Sequence, residues 1–205
     1  MFSENTLKEF NEKVCSSDPV PGGGSVSAIA GSLAAALSQM VSNLTIGKKK
    51  YADHEELMKE ISEKAEKIKN KLLLLADEDS ESFNVLMKSL KLPKTTEEEI
   101  KIRNSEIEKA TFYAAEVPLK TAKTSFEILD LACSLVEYGN KNAVTDAAVS
   151  AMMSRTAVLG ALYNVKINLS SLPDSERKNK IINEISELEK NTKEKENNIL
   201  NKVLL

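Results

Sequence analysis

Along nearly the whole chain, apolar residues return every three or four positions, the spacing that gathers them on one face of an α-helix. No stretch sustains the alternation of a strand. Leu7, Phe10 and Val14 mark a first helix over Ser3 to Ser16, with Ser3 or Asn5 as its cap. Asp18-Pro19-Val20-Pro21-Gly22-Gly23-Gly24 then breaks regular structure, and a helix of small residues runs from Ser25 to about Asn43, stopping near Gly47. Leu57, Ile61, Ala65, Ile68, Leu72 and Leu75 predict a long helix from Asp53 to about Leu92, open to a split at the acidic Asp77 to Asp79 and ended by Pro93. Thr95 or Thr96 followed by Glu98 and Glu99 resembles a capping box, opening a helix that carries Ile100, Ile107, Ala110 and Tyr113. Pro118 predicts a kink or short break there, after which helix resumes to Tyr138 and ends at Gly139 as C-cap. A second Ala-rich helix spans Thr145 to about Leu172. Pro173-Asp174 separates it from a charged helix with the stripe Ile181, Ile185, Leu188, Ile199 and Val203. The pattern predicts a single all-α domain over 1–205, a multi-helix up-and-down bundle with the two Ala-rich helices at its centre. Their small-residue faces leave room for a partner subunit, so a homo-oligomer is expected.

Composition narrows the function classes. With no Trp, four Tyr and five Phe in 205 residues, core volume must come from Leu, Ile, Val, Ala and Met. The net charge of −3 arises from interleaved Lys and Glu, which reads as solvated helix faces and argues against nucleic acid as a partner. Cys15 and Cys133 show no metal-ligand or CxxC spacing and are expected to be reduced, buried thiols. The start, MFSENTLKEF, has no basic segment followed by an apolar run, so a cytoplasmic protein is expected. Ser25 to Ile46 approaches membrane-spanning length, but its many Ala, Ser and Gly residues, with Gln39 and Asn43, favour a buried helix and no membrane association.

Several segments offer chemistry. The single histidine, His54, lies among carboxylates at a helix start and suits an exposed or capping role; neither a triad nor a zinc site has enough partners. Gly22, Gly23, Gly24 and Ser25 open a helix, where converging N–H groups could hold a carboxylate or phosphate. Lys48, Lys49 and Lys50 stand beside Tyr51, and together with the glycine loop they would suit an acidic ligand with a flat ring if both lined one groove. Asp79 shares a helix face with Phe83 in a dense acidic cluster. Asp146 opens an Ala-rich helix, where it is either a cap or a buried carboxylate. Asn140, Asn142, Asn164 and Asn168 offer paired donors and acceptors to a heterocycle.

In combination these segments are more specific. Asp18-Pro19-Val20-Pro21-Gly22-Gly23-Gly24-Ser25-Val26, followed by Met40-Val41-Ser42-Asn43-Leu44-Thr45-Ile46-Gly47-Lys48-Lys49-Lys50-Tyr51, resembles the opening of the formiminotransferase-cyclodeaminase family. Glu78 to Asn84 with Leu92-Pro93-Lys94, Glu116-Val117-Pro118-Leu119, Gly139 to Ala147 and Asn164 to Leu169 fit the same family in order. Ala148 stands where Gly is expected, and Tyr163 where Leu is more usual. The resemblance implies an all-helical, usually dimeric domain acting on tetrahydrofolate derivatives, with no metal and no permanently bound cofactor. Two activities are implied as alternatives: closure of 5-formiminotetrahydrofolate to 5,10-methenyltetrahydrofolate with loss of ammonia, or addition of water to the methenyl compound to give 10-formyltetrahydrofolate. The first is the primary expectation. A carboxylate would move the proton and stabilise the amidinium cation, with Asp146 the first choice and Asp79 the second. Lys50 or Lys48 would donate a proton to the leaving nitrogen or bind the glutamate tail, for which the Gly22 to Ser25 loop is the other candidate. A non-catalytic helical interaction protein is the reading of a different class.

Overall fold

Local signals set where three of the helices begin. In the computed structural model, which describes residues 1–204, Thr6 caps α1 (Leu7–Val14) through a reciprocal box with Glu9. Thr96 and Glu99 form the same device at α4 (Glu97–Tyr138), and Ser175 caps α6 (Glu176–Leu200). The remaining helices are α2 (Gly23–Asn43), α3 (Glu55–Leu90) and α5 (Val144–Ser170), with 3₁₀ turns at Phe2–Glu4, Lys49–His54 and Lys141–Ala143. The first helix is shorter than expected and buries only Phe10, leaving Leu7 and Val14 exposed.

Two expected interruptions do not occur. Asp77 to Asp79 lie inside an unbroken α3, because Asp77 is taken up by Phe2 N–H and Glu78 by Lys120. Pro118 lies inside an unbroken α4. A proline leaves the carbonyl four residues earlier without its helical donor, here that of Ala114. The side-chain amide of Asn168, on α5, donates to that oxygen at 2.6 Å. Gly139 ends α4 in an extended conformation rather than a left-handed one. Glycine is needed there because a Cβ would collide with the carbonyl of Leu135.

The long helices run up and down. α2 is antiparallel to α3, as the contacts Ser25–Asp79, Ser32–Lys69 and Asn43–Ser62 show. It is also antiparallel to α5, through Ser150 on the Ala34 carbonyl and Ser38. α4 meets all of α2, α3, α5 and α6. Ala28, Ala35, Leu72, Ile128, Leu129 and Ala151 fill the main core. Leu162, Val165 and Ile185 fill a second beneath α6, which also takes Ile181 of the expected stripe, while Ile199 is buried in the main core.

α2 and α5 leave one shared apolar face uncovered. Val26, Leu33, Met40 and Leu44 are exposed along α2, and Val149, Met152, Tyr163 and Ile167 along α5, with Leu33 51%, Ile167 67% and Tyr163 71% accessible. No charged residue occurs within α2. That helix is long and apolar enough to cross a membrane, and 56% of its most apolar window is buried inside the protein. Cys15 departs from the expected burial: it ends the short α1 and is exposed, while Cys133 is half-buried.

Candidate active site

Helix α2 determines which candidate residues can meet. Its 21 residues span about 30 Å. The glycine segment lies at one end and the lysine segment at the other, so within one chain they do not meet the condition of lining one groove.

At the N-terminal end of α2, Pro19, Gly22, Gly23, Gly24, Asp79, Phe83, Ala114, Asn164 and Asn168 line a cleft of about 290 Å³. Six of the expected ligand-binding positions and one expected catalytic carboxylate therefore converge. The Asp79 carboxylate lies over Gly24, where even a Cβ would collide with it. No side chain of the local sequence caps α2, so Asp79 brings negative charge to a helix end that otherwise has none. An anionic ligand group was expected at these amides. The protein's own carboxylate takes that place.

Burial pushes the Asp79 carboxyl above its ordinary pKa, and hydrogen bonds from Ser25 pull the other way without reversing it. No charged partner balances it, unlike nearby Glu78, which is paired with Lys120 at 2.9 Å. Ser25 was expected to touch ligand, but it is fully buried and faces α3 instead. Asn164 and Asn168 each donate one amide hydrogen to a backbone carbonyl, Gly160 and Ala114 respectively. Those bonds orient both amides beside the cleft.

The second group gathers where α2 ends and α5 begins. The N–H of Lys141 donates to Tyr51 Oη at 3.0 Å, which holds the Tyr51 phenol below its ordinary pKa, with Lys50 and Lys141 acting in the same direction. Lys48, Lys49 and Lys50 are exposed, and Lys50 Nζ lies 5.5 Å from the centre of the Tyr51 ring. Asn140 is buried and committed to structure: its side chain donates to the Leu44 carbonyl and its backbone to Thr45 Oγ1. Asn142 is exposed. Asp146 is half-buried in the first turn of α5 and caps nothing; Ala143 occupies the cap position. His54 sits at the N-cap position of α3 without a capping bond, its ring 4.7 Å from that of Tyr138. Among the described residues no three of His, Cys, Asp and Glu converge as metal ligands do.

Sequence reasoning missed two things. Ser25 serves Asp79 rather than a ligand, and Ala114 joins the cleft wall because Pro118 frees its carbonyl for Asn168. The i to i−4 relation between Pro118 and Ala114 was a usable signal for the second.

Comparison with known proteins places this geometry in context. The formiminotransferase-cyclodeaminase family model matches residues 6–187. The methenyltetrahydrofolate cyclohydrolase of Methylorubrum extorquens is 38% identical over 85% of this chain and 84% of its own. The rat formimidoyltransferase-cyclodeaminase is 33% identical over 89% of this chain but only 34% of its own length. The crystal structure of formiminotetrahydrofolate cyclodeaminase from Thermotoga maritima superposes with a TM-score of 0.84, at 31% identity, over 99% of this chain and 96% of that one.

Proposed function

Because the chain belongs to the formiminotransferase-cyclodeaminase family, we propose that it is a folate one-carbon enzyme that closes 5-formiminotetrahydrofolate to 5,10-methenyltetrahydrofolate and releases ammonia. The observation that carries this reading is Asp79, a half-buried carboxylate with no charged partner, beside a cleft whose other polar groups are neutral: the Asn164 and Asn168 amides, the Ser82 hydroxyl and backbone. Such a carboxylate meets what the chemistry needs. N10 attacks the carbon of the protonated, cationic formimino group, whose C=N π electrons pass to the terminal nitrogen, and the N10 proton passes to Asp79. As the second C–N bond breaks, the proton goes to the departing nitrogen, which leaves as ammonia. The product is an amidinium cation, and an ionised Asp79 stabilises its charge in a partly dehydrated cleft. Phe83 offers a flat face to the pterin, and Asn164 and Asn168 present oriented amides to its edge. Asp79 therefore takes the role first expected of Asp146.

Water addition to the methenyl compound, giving 10-formyltetrahydrofolate, is the second reading. It is favoured by the cyclohydrolase relative of matching length, and the same carboxylate would deprotonate the attacking water.

We propose further that the enzyme is a homodimer joined through the exposed stripe of α2 and α5. A twofold axis crossing α2 between Leu33 and Leu37 pairs Val26 with Leu44 of the second copy, burying the apolar face against itself. The same operation carries Lys48, Lys50 and Tyr51 of one copy towards the glycine end of the other. Cations for the acidic glutamate tail then reach a cleft that has none among its lining residues.

The deciding assay follows methenyltetrahydrofolate absorbance from two starting points. A cyclodeaminase raises it from the formimino compound, and a cyclohydrolase lowers it from the methenyl compound. Purified protein that does neither, and gains no thermal stability with 5-formyltetrahydrofolate, would return the chain to the interaction-protein class.

A further inference from the structure

Resting on the assignment of Asp79 as the acid–base group, we infer that Ser25 is a positioning residue that keeps Asp79 competent in both protonation states. Ser25 Oγ is fully buried and stands 3.0 Å from Asp79 Oδ2, 2.9 Å from the Ala76 carbonyl and 3.2 Å from Ser80 Oγ. A serine hydroxyl has one hydrogen and two lone pairs, so it can serve only one of these acceptors at a time. When Asp79 is ionised, the hydrogen belongs on Oδ2, because a bond to a charged acceptor is the stronger. When Asp79 has taken up a proton, its Oδ2 becomes a weak acceptor or itself a donor. The Ser25 hydrogen then turns to the Ala76 carbonyl, and its lone pair accepts from the carboxyl or from Ser80. Rotation about one C–O bond thus satisfies every partner in both states, without moving a helix.

The surroundings leave this task to Ser25. α2 contributes only Gly22, Gly23 and Gly24 near the carboxylate, α4 contributes Ala114, and α5 contributes the neutral Asn164 and Asn168. On α3 itself, Glu78 is turned to Lys120 and Tyr113, and Glu81 is exposed. Oδ1 lies over Gly24, where the cleft wall is backbone. With Ser25 holding Oδ2, the carboxyl keeps one oxygen for the substrate proton.

The test compares the pH profile of kcat/KM in wild type, Ser25→Ala and Ser38→Ala. Ser38 is an equally buried α2 serine that bonds to Ser150, and its loss is a matched structural lesion. Without the Ser25 donor the charged form of Asp79 loses support, so the acid limb moves up by about one pH unit. kcat falls about 10- to 100-fold and KM stays near wild type, because Ser25 does not reach the cleft. Ser38→Ala lowers Tm but leaves the limb in place. An acid limb unmoved in folded Ser25→Ala overturns the inference.

A double-mutant cycle guards against a merely damaged variant. In the Asp79→Asn background, Ser25→Ala should cost little further activity, whereas independent, multiplying losses would overturn the inference. If Asp79→Asn alone keeps full turnover, it is the functional reading of Asp79 that fails.

Discussion

Gly24→Ala probes the closest approach in the cleft. Gly24 occupies the first turn of α2, and an added Cβ would lie 2.5 Å from Asp79 Cγ and 2.6 Å from Oδ2, with Oδ1 closer still. Ordinary carbon contacts are about 3.5–4.0 Å, so the carboxyl must retreat by about 1 Å. It cannot swing freely, because Ser25 holds Oδ2 and α3 is continuous on either side. In an unobstructed helix the change would stabilise by about 0.5–1 kcal/mol, since alanine is the better helix former. Overpacking costs about 1–3 kcal/mol, leaving a net loss of up to about 2.5 kcal/mol and a Tm lower by up to roughly 10 °C for a chain of this size. The effect on turnover is larger, because a 1 Å misplacement of a reacting group costs about 100-fold. Steady-state kinetics with the methenyl absorbance readout, beside differential scanning calorimetry, measure both. A Gly24→Ala enzyme with raised Tm and wild-type kcat would refute the reasoning, because the methyl would then have met open space.

Three other outcomes are expected. Asp79→Asn should lower kcat by about 10²–10⁴ and alter pH-dependent stability in a defined direction. Burial raises the folded-state pKa of Asp79, so its contribution is fully present below the unfolded value and lost as pH rises through the folded one. The Asn variant should therefore gain thermal stability relative to wild type towards neutral pH, and an unchanged pH dependence of ΔTm counts against the buried carboxylate. For the proposed dimer, Asp79→Asn chains and Lys48→Ala/Lys50→Ala chains, each nearly inactive, should regain about one quarter of wild-type activity when refolded as an equal mixture, since half the dimers are mixed and each holds one complete site; no recovery would show that the lysines of one copy do not serve the cleft of the other. Outside the cleft lining, Lys166 and Lys193 bond to Glu189 and hold its pKa at about 2. This carboxylate supports the fold above its unfolded pKa and loses that effect as pH falls towards 2, so Glu189→Gln should flatten acid unfolding between about pH 4.5 and 2, as followed by circular dichroism.

The helices themselves were legible because their signals are local. Three- and four-residue spacing, the Thr96–Glu99 box and the Pro173-Asp174 break each act within a turn or two of chain, and each appears at about its expected place. The cleft was half legible. Glycine loop, Asp79, Phe83, Asn164 and Asn168 were all singled out, but the Lys-Lys-Lys-Tyr segment was set beside them, and Asp146 was ranked above Asp79. Residue types show that a group can do chemistry; they do not show which end of a 30 Å helix it occupies.

What tertiary structure decided are the long-range pairings. Pro118 reads as a helix breaker until Asn168, 50 residues later, donates to the carbonyl it orphans. Ser25 reads as a ligand contact until α3 packs antiparallel on α2 and turns its hydroxyl to Asp79. Burial of the Asp79 carboxyl, and with it its raised pKa, exists only once α2 and α3 are packed together. The sequence by itself determined the helices and the set of polar groups they carry. Antiparallel packing decided which of those groups share a cleft, because a helix places its two ends far apart and only a neighbouring helix can bring a distant residue back to either one.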